Sequence, residues 1–208
     1  MASLDTGAQG RIEIKEVYEN SLRPDNVKVR VQEYSYFVSP FEGQTQGGLP
    51  NQTSLVFADL WSNYLGNDAL GNSLTTDEVY SLIGGKVNAN HISNSLAFSN
   101  TCALRLSWAL NKSGNPIPFT RNETGSGADG MWYFYRVEAL SGYISSMLGA
   151  PDIESTDPAD FAGQQGIIQF QVSGWTDSTG HFTLWDGTQS AHGEYWSNSY
   201  NVRLWKIN

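Results

Sequence analysis

The chain carries one cysteine, Cys102, and three histidines, His91, His181 and His192. A thiol with an imidazole base is the smallest side-chain set that can run nucleophilic acyl transfer, the base taking the proton and the sulfur attacking a carbonyl. Cys102 lies in NTCALRLSWALNKSG, residues 100–114. There Ala103, Leu106 and Leu110 recur at i, i+3 and i+7 and predict the buried stripe of a helix. Ser99, Asn100 or Thr101 can cap its start, and Ser113–Gly114 can end it. That places Cys102 in the first turn, where unpaired N–H groups and the helix dipole favour an anion, so a lowered thiol pKa is expected. A lone cysteine is more often a small buried hydrophobe, so a nucleophile requires a base nearby. His181 opens HFTLW, in which alternation puts His181, Thr183 and Trp185 on one strand face and Phe182 and Leu184 on the other. His192, in SAHGEYW, falls on the next segment, where a neighbouring strand can hold it against the far nitrogen of the His181 ring. His91, in KVNANHIS, has no such setting and is expected at the surface or in a loop.

A helix bearing the cysteine must therefore pack on a sheet bearing the histidine, and the order of elements agrees. LVFADLWSNYL and TTDEVYSLIGG predict helices, the second capped by Thr75 or Thr76 with Glu78 in its first turn and closed by Gly84–Gly85. Residues 115–130 and the run PDIESTDPADFAGQQ read as loops, with MWYFYRVEALSGYISSML between them as a strand leading into a helix. GIIQFQVSGW, GHFTLWDG, GEYW and YNVRLWKI read as short strands of an antiparallel sheet. Helices followed by a sheet give an α+β fold. Residues 1–50 are set apart as an extension of unassigned role: RIEIKEVYEN and NVKVRVQEYSYFV alternate like strands, and FEGQTQGGLPNQTS is a linker before the main domain, residues 51–208.

Charged residues make up 16% of the chain and aromatics 12%, with 21 glycines, which suits a packed, turn-rich domain. The net charge of −9 argues against a nucleic-acid partner. No apolar run approaches the roughly 20 residues of a membrane span, so no membrane insertion is expected. MASLDTGAQGR lacks the basic and apolar regions of a secretory signal, so synthesis in a cytoplasm is expected. A single cysteine excludes an internal disulfide and a thiolate metal cluster, and neither metal nor cofactor is expected.

The stretches IGGKVNAN, NTCALRLSWALNKSG, MWYFYRVEAL, GQQGIIQFQVSGWTDSTGHFTLWDG and SAHGEYW, in that order, resemble the type VI secretion amidase effectors of family four. The resemblance runs from about Leu55 to the end. It implies a papain-like, NlpC-like fold and a peptidoglycan DL-endopeptidase that hydrolyses the amide between D-glutamate and meso-diaminopimelate in Gram-negative stem peptides. It further implies injection by the type VI apparatus into the periplasm of a target bacterium, and a cognate immunity protein that plugs the active-site groove. Carried onto this sequence, the nucleophile falls on Cys102 and the base on His181.

In well-studied members the third position is an aspartate flanked by two cysteines that form a disulfide. Here the resemblance puts His192 at that aspartate, with Ser190 and Glu194 at the cysteines, so the loop from Gly187 to Gly193 is expected to be held by packing alone. A neutral histidine stabilises an imidazolium less than a carboxylate does, which leaves Glu194 and Asp186 as alternative third residues. Trp175, Trp185 and Trp196 are candidates for the substrate groove, with core packing as the alternative. Arg105 is a candidate for pairing with a substrate carboxylate, or else for a structural salt bridge. Two other functions fit the composition: a non-catalytic cell-wall binding module, and a papain-like protease or transglutaminase acting on a protein.

Overall fold

The computed structural model of the protein describes residues 55–175 and 178–208, together with two short strands near the amino terminus. The chain divides into two compact units, residues 1–50 and 51–208. In the first, β1 (Asp5–Thr6) and β2 (Ile12–Glu13) pair antiparallel, Asp5 opposite Glu13 and Thr6 opposite Ile12. The second alternating run, 26–38, and the linker, 41–54, lie outside the described residues.

The second unit begins with α1 (Phe57–Ser62), α2 (Thr76–Ile83), α3 (Gly85–Ser93) and α4 (Cys102–Lys112). At the start of α2 the Glu78 N–H donates to the Thr75 hydroxyl and the Thr75 N–H donates to the Glu78 carboxylate, so two otherwise unpaired donors are satisfied reciprocally. Gly84 and Gly85 follow with φ of 66° and 59°. A Cβ on Gly85 would lie 2.5 Å from the carbonyl carbon of Gly127, so only glycine lets α2 turn directly into α3 beneath the passing 127–128 loop. Helix α3 follows, for which no element was assigned from the sequence: its only buried residues are Val87 and His91, too few apolar positions to make a stripe. His91 is accordingly not at the surface. Its ring stacks on Tyr80 at 4.2 Å, Nδ1 meets the Phe98 carbonyl at 2.8 Å and Nε2 meets Asp77 at 2.8 Å.

A hairpin of β3 (Thr124–Ser126) and β4 (Trp132–Phe134) precedes α5 (Val137–Leu148). The carboxy-terminal sheet contains β5 (Ile153–Ser155), β6 (Gly166–Val172), β7 (Gly180–Trp185) and β8 (Ser199–Lys206), in the order β5-β8-β6-β7 with every pair antiparallel. Three local expectations are corrected. Residues 124–126, expected as loop, pair with β4; residues 153–155, also expected as loop, pair with β8, while Pro158–Phe161 form a 3-10 turn; GEYW forms no strand and runs into a 3-10 turn at Trp196–Asn198.

Helix α4 lies on one face of the sheet. Ala103, Leu106 and Leu110 pack with Phe182, Leu184, Ile167 and Trp205, and α5 adds Leu140 and Ile144. Each leucine side chain so buried contributes about 1.5–3 kcal/mol. The other face packs Phe161, Ile168, Phe170, Trp185, Val202 and Leu204. Strand β7 is thus buried on both faces, and it is also the edge of the sheet. Its open edge is met by the Tyr64 hydroxyl, 3.5 Å from the Phe182 carbonyl, and by the Ala191 N–H, which donates to the Leu184 carbonyl at 2.9 Å.

Candidate active site

Cys102 is the first residue of α4, 3% exposed and unpaired as a thiol. Its N–H donates to Asn100 Oδ1 at 3.1 Å, so of the three expected caps it is Asn100 whose side chain reaches the helix start. The sulfur meets β7 at Phe182, the residue after His181, and the N–H groups of Phe182, Ala103 and Cys102 all favour its anion. Burial nevertheless outweighs them and Arg105, pushing the thiol up to about 11. The expectation of a lowered thiol pKa is corrected accordingly: desolvation exceeds the attraction of the helix start.

His181 is 6% exposed. Its Nε2 lies 2.7 Å from the main-chain carbonyl of His192. A carbonyl only accepts, so Nε2 carries the proton and Nδ1 is the basic nitrogen. Burial pulls the imidazole down to about 4, opposed by the bond to the His192 carbonyl and reinforced by the charges of His192 and Arg105. The His192 ring lies 6.2 Å away between centroids, and its Nδ1 is buried without a hydrogen-bond partner. His192 therefore meets His181 through its backbone, where a ring contact was expected. Gly193 follows at φ 72°, and a Cβ there would stand 3.3 Å from His181 Nε2.

A groove of about 840 Å³ reaches the start of α4 at Asn100 and is lined also by Phe98, Tyr135, Trp175, Ser178 and other residues, though by neither Cys102 nor His181. Trp175 stands edge-on to Tyr195 at 4.9 Å, and Tyr195 in turn packs on the His181 ring at 4.9 Å. Among the described residues no group of three histidine, cysteine or carboxylate side chains is placed to hold a metal ion.

The profile of the family described as type VI secretion system amidase effector protein 4 matches residues 98–205, more than half of the chain. A crystal structure of the type VI effector Tae4 from Enterobacter cloacae is 33% identical, with a TM-score of 0.65 over 74% of this chain and 96% of that one. The chain belongs to this family. A chain of the effector Tae4 from Salmonella typhimurium in complex with the immunity Tai4 from Enterobacter cloacae is 29% identical, with a TM-score of 0.66 over 74% of this chain and 99% of its own. The effector–immunity complex Tae4-Tai4 from Enterobacter cloacae gives 31% identity and a TM-score of 0.65 over 74% and 98%. No curated protein sequence matches the effector.

The remaining candidates occupy other settings in the effector. Asp186 accepts from the Thr188 N–H at 2.7 Å, the Thr188 hydroxyl at 2.8 Å and the Gln189 N–H at 2.8 Å, so its carboxylate closes its own turn. Glu194 accepts from the Ser190 N–H at 2.9 Å and from Trp196 Nε1 at 3.1 Å, while the Ser190 hydroxyl donates to the Gly193 carbonyl at 2.9 Å. The two positions that the resemblance aligns with a disulfide are thus clasped by hydrogen bonds, and the loop is not held by packing alone. Trp185 is core: 5% exposed, it donates from Nε1 to the Phe161 carbonyl at 2.9 Å and stacks edge-on with Trp196 at 5.5 Å. Arg105, 2% exposed, donates from Nε to the Thr101 hydroxyl at 3.0 Å, from Nη1 to the Leu65 carbonyl and from Nη2 to the Leu74 carbonyl at 2.6 Å. It makes no salt bridge among the described residues: these partners are uncharged, and they tie the 65–74 loop to α4. Among the described residues no helix is long and apolar enough to cross a membrane.

Two predictions arise here. Below pH 6.5 an unfolded chain protonates a histidine that the folded effector keeps neutral to about 4, so stability falls as pH drops through that window by about 3 kcal/mol. Above pH 9.0 the unfolded thiol ionises while the folded one resists to about 11, so stability falls again by a similar amount. Denaturant midpoints measured from pH 4 to 10 should show both limbs, and His181→Gln should flatten the acid one. Gly193→Ala should cost about 1–2 kcal/mol for the left-handed backbone, and it should lower turnover by crowding His181. Thermal melts and peptide-release rates check this.

Proposed function

We infer that the effector is a cysteine amidase of papain-like, NlpC-like architecture, and that it hydrolyses the amide between D-glutamate and meso-diaminopimelate in Gram-negative stem peptides. The observation that supports this reading best is the approach of Cys102 at the start of α4 to the open edge of β7, one residue from His181. His181 Nδ1 takes the thiol proton as the sulfur attacks the D-glutamyl side-chain carbonyl, and main-chain N–H groups around the sulfur receive the oxyanion. The imidazolium then protonates the leaving amine, and water releases the acyl group. With the thiol at about 11 and the imidazole at about 4, the resting pair is neutral, so proton transfer accompanies attack. Alkylation of Cys102 by iodoacetamide should keep rising with pH beyond 9; a plateau reached by pH 7 would mean a standing ion pair.

Residues 51–208 form the amidase domain in this reading, and the groove beside Trp175 takes the stem peptide. The type VI apparatus delivers the effector to the periplasm of a target bacterium, and a cognate immunity protein covers the groove in the producer. The test is digestion of purified Gram-negative sacculi. Loss of tetrapeptide monomers and of crosslinked dimers is expected, and unchanged muropeptides at adequate enzyme concentration would sink the proposal. Cleavage or crosslinking of proteins with no new muropeptides would favour a protease or transglutaminase. Wall binding with no peptide release would favour a binding module.

A further inference from the structure

We propose that the group orienting His181 is the main-chain carbonyl of His192, and that Thr183 is the positioning residue that sets this carbonyl through its buried hydroxyl. The proposal rests on the reading of Cys102 and His181 as nucleophile and base. At 2.7 Å, the contact between His181 Nε2 and the His192 oxygen is short for an N–H···O bond. A ring recruited to hold the base would itself be hydrogen-bonded, whereas His192 Nδ1 is buried with no partner.

A carbonyl can orient a base only if its own residue is fixed. The His192 N–H donates at 3.0 Å to Thr183 Oγ1, on a residue with no exposed surface. The residue before, Ala191, is pinned to the edge of β7 by its N–H on the Leu184 carbonyl. After it, the Ser190 hydroxyl holds the Gly193 carbonyl and the Glu194 carboxylate holds the Ser190 N–H, closing the loop on itself. Thr183 stands two residues beyond His181 on β7, so alternation gives both the same face. The base and the support for its orienting group are thus carried by one strand and move together. The buried Tyr64 hydroxyl lies 3.5 Å from the carbonyl of Phe182, the residue between His181 and Thr183, and so packs against the same stretch of β7.

The test compares Thr183→Val, Thr183→Ser and His192→Ala in the full chain, with turnover on purified sacculi and 15N NMR of the histidine rings. Wild type at pH 7 should show His181 protonated on Nε2 and bare on Nδ1. Thr183→Val keeps the shape and removes the acceptor; kcat should fall about tenfold with KM within about twofold, a loss of orientation with little loss of binding. Its His181 signals should become a mixture of tautomers. Thr183→Ser should recover most of the turnover, and His192→Ala, which keeps the carbonyl, should cost less than Thr183→Val. A wild-type His181 protonated on Nδ1, a Thr183→Val protein with undiminished kcat, or a larger loss in His192→Ala each overturns the proposal. Should Thr183→Val fail to fold, the wild-type spectrum and a loss in His192→Ala larger than in Thr183→Ser still decide it. The tautomer is read on the resting protein, so inert sacculi beside an Nε2-protonated His181 would refute the function and leave the positioning role standing.

Discussion

Alanine in place of Cys102 is expected to lower peptide release from sacculi by about ten-thousand-fold or more, the scale on which hydrolases lose turnover without their nucleophile. The thermal midpoint should move only a few degrees, because the sulfur is small, forms no disulfide and is surrounded by a helix and strand packed through other residues. His181→Gln should cause a loss of the same order. On the proposed mechanism the double variant should be no worse than either single one, because a nucleophile and a base that act as a unit leave nothing for the second removal to take away. Muropeptide chromatography on all three proteins, each matched for folding by circular dichroism, measures this. Losses that multiply in the double variant would mean that Cys102 and His181 act independently.

Arg105→Met should be the most damaging substitution for stability. The guanidinium holds the Leu65, Gly66 and Leu74 carbonyls and the Thr101 hydroxyl, and methionine fills the space while removing this donor from all of them; the Gly66 carbonyl alone keeps a main-chain donor, the Leu74 N–H. The expected cost is about 3–5 kcal/mol, the sum of several acceptors left unpaired at about 1–3 kcal/mol each, reduced where water enters. For a unit of this size that lowers the melting midpoint by roughly 10 °C. Lysine should rescue little, because one ammonium cannot reproduce the fork that spans these carbonyls. A second effect follows from charge. Arg105 favours the Cys102 thiolate and opposes the His181 imidazolium, so in any folded variant lacking it both groups should titrate at higher pH. Calorimetry and pH-dependent alkylation separate the two effects.

The parts of this site that a sequence exposes are those carried by side-chain patterns. The stripe Ala103, Leu106, Leu110 marked α4, the Thr75–Glu78 pair marked the start of α2, and alternation marked the strand bearing His181. Alternation also grouped the faces of β7: Phe182 and Leu184 lie in the core under α4, while Trp185 lies in the second core with Phe170, which the His181 ring also meets; what alternation did not indicate is that both faces are buried. Strand β5 exists because Ile153 and Ser155 pair with β8 some fifty residues later, a non-local cause with no local pattern. Arg105 looked available because nothing near it in sequence indicates that residues 65–74 fold over it. The contact of His192 is the least legible of all, since a main-chain carbonyl is common to every residue type. What could have pointed to it is Gly193, whose missing Cβ leaves room for His181 Nε2.

The Ser190–Glu194 clasp has a consequence for when the protein becomes competent. A covalent sulfur clip forms only in an oxidising compartment, and a reducing cytosol opens it. A carboxylate accepting a main-chain N–H needs no oxidant, so the loop that carries the His192 carbonyl closes as soon as the chain folds, on either side of a membrane. Redox state then sets no step in closing this loop, which is formed wherever the chain is folded.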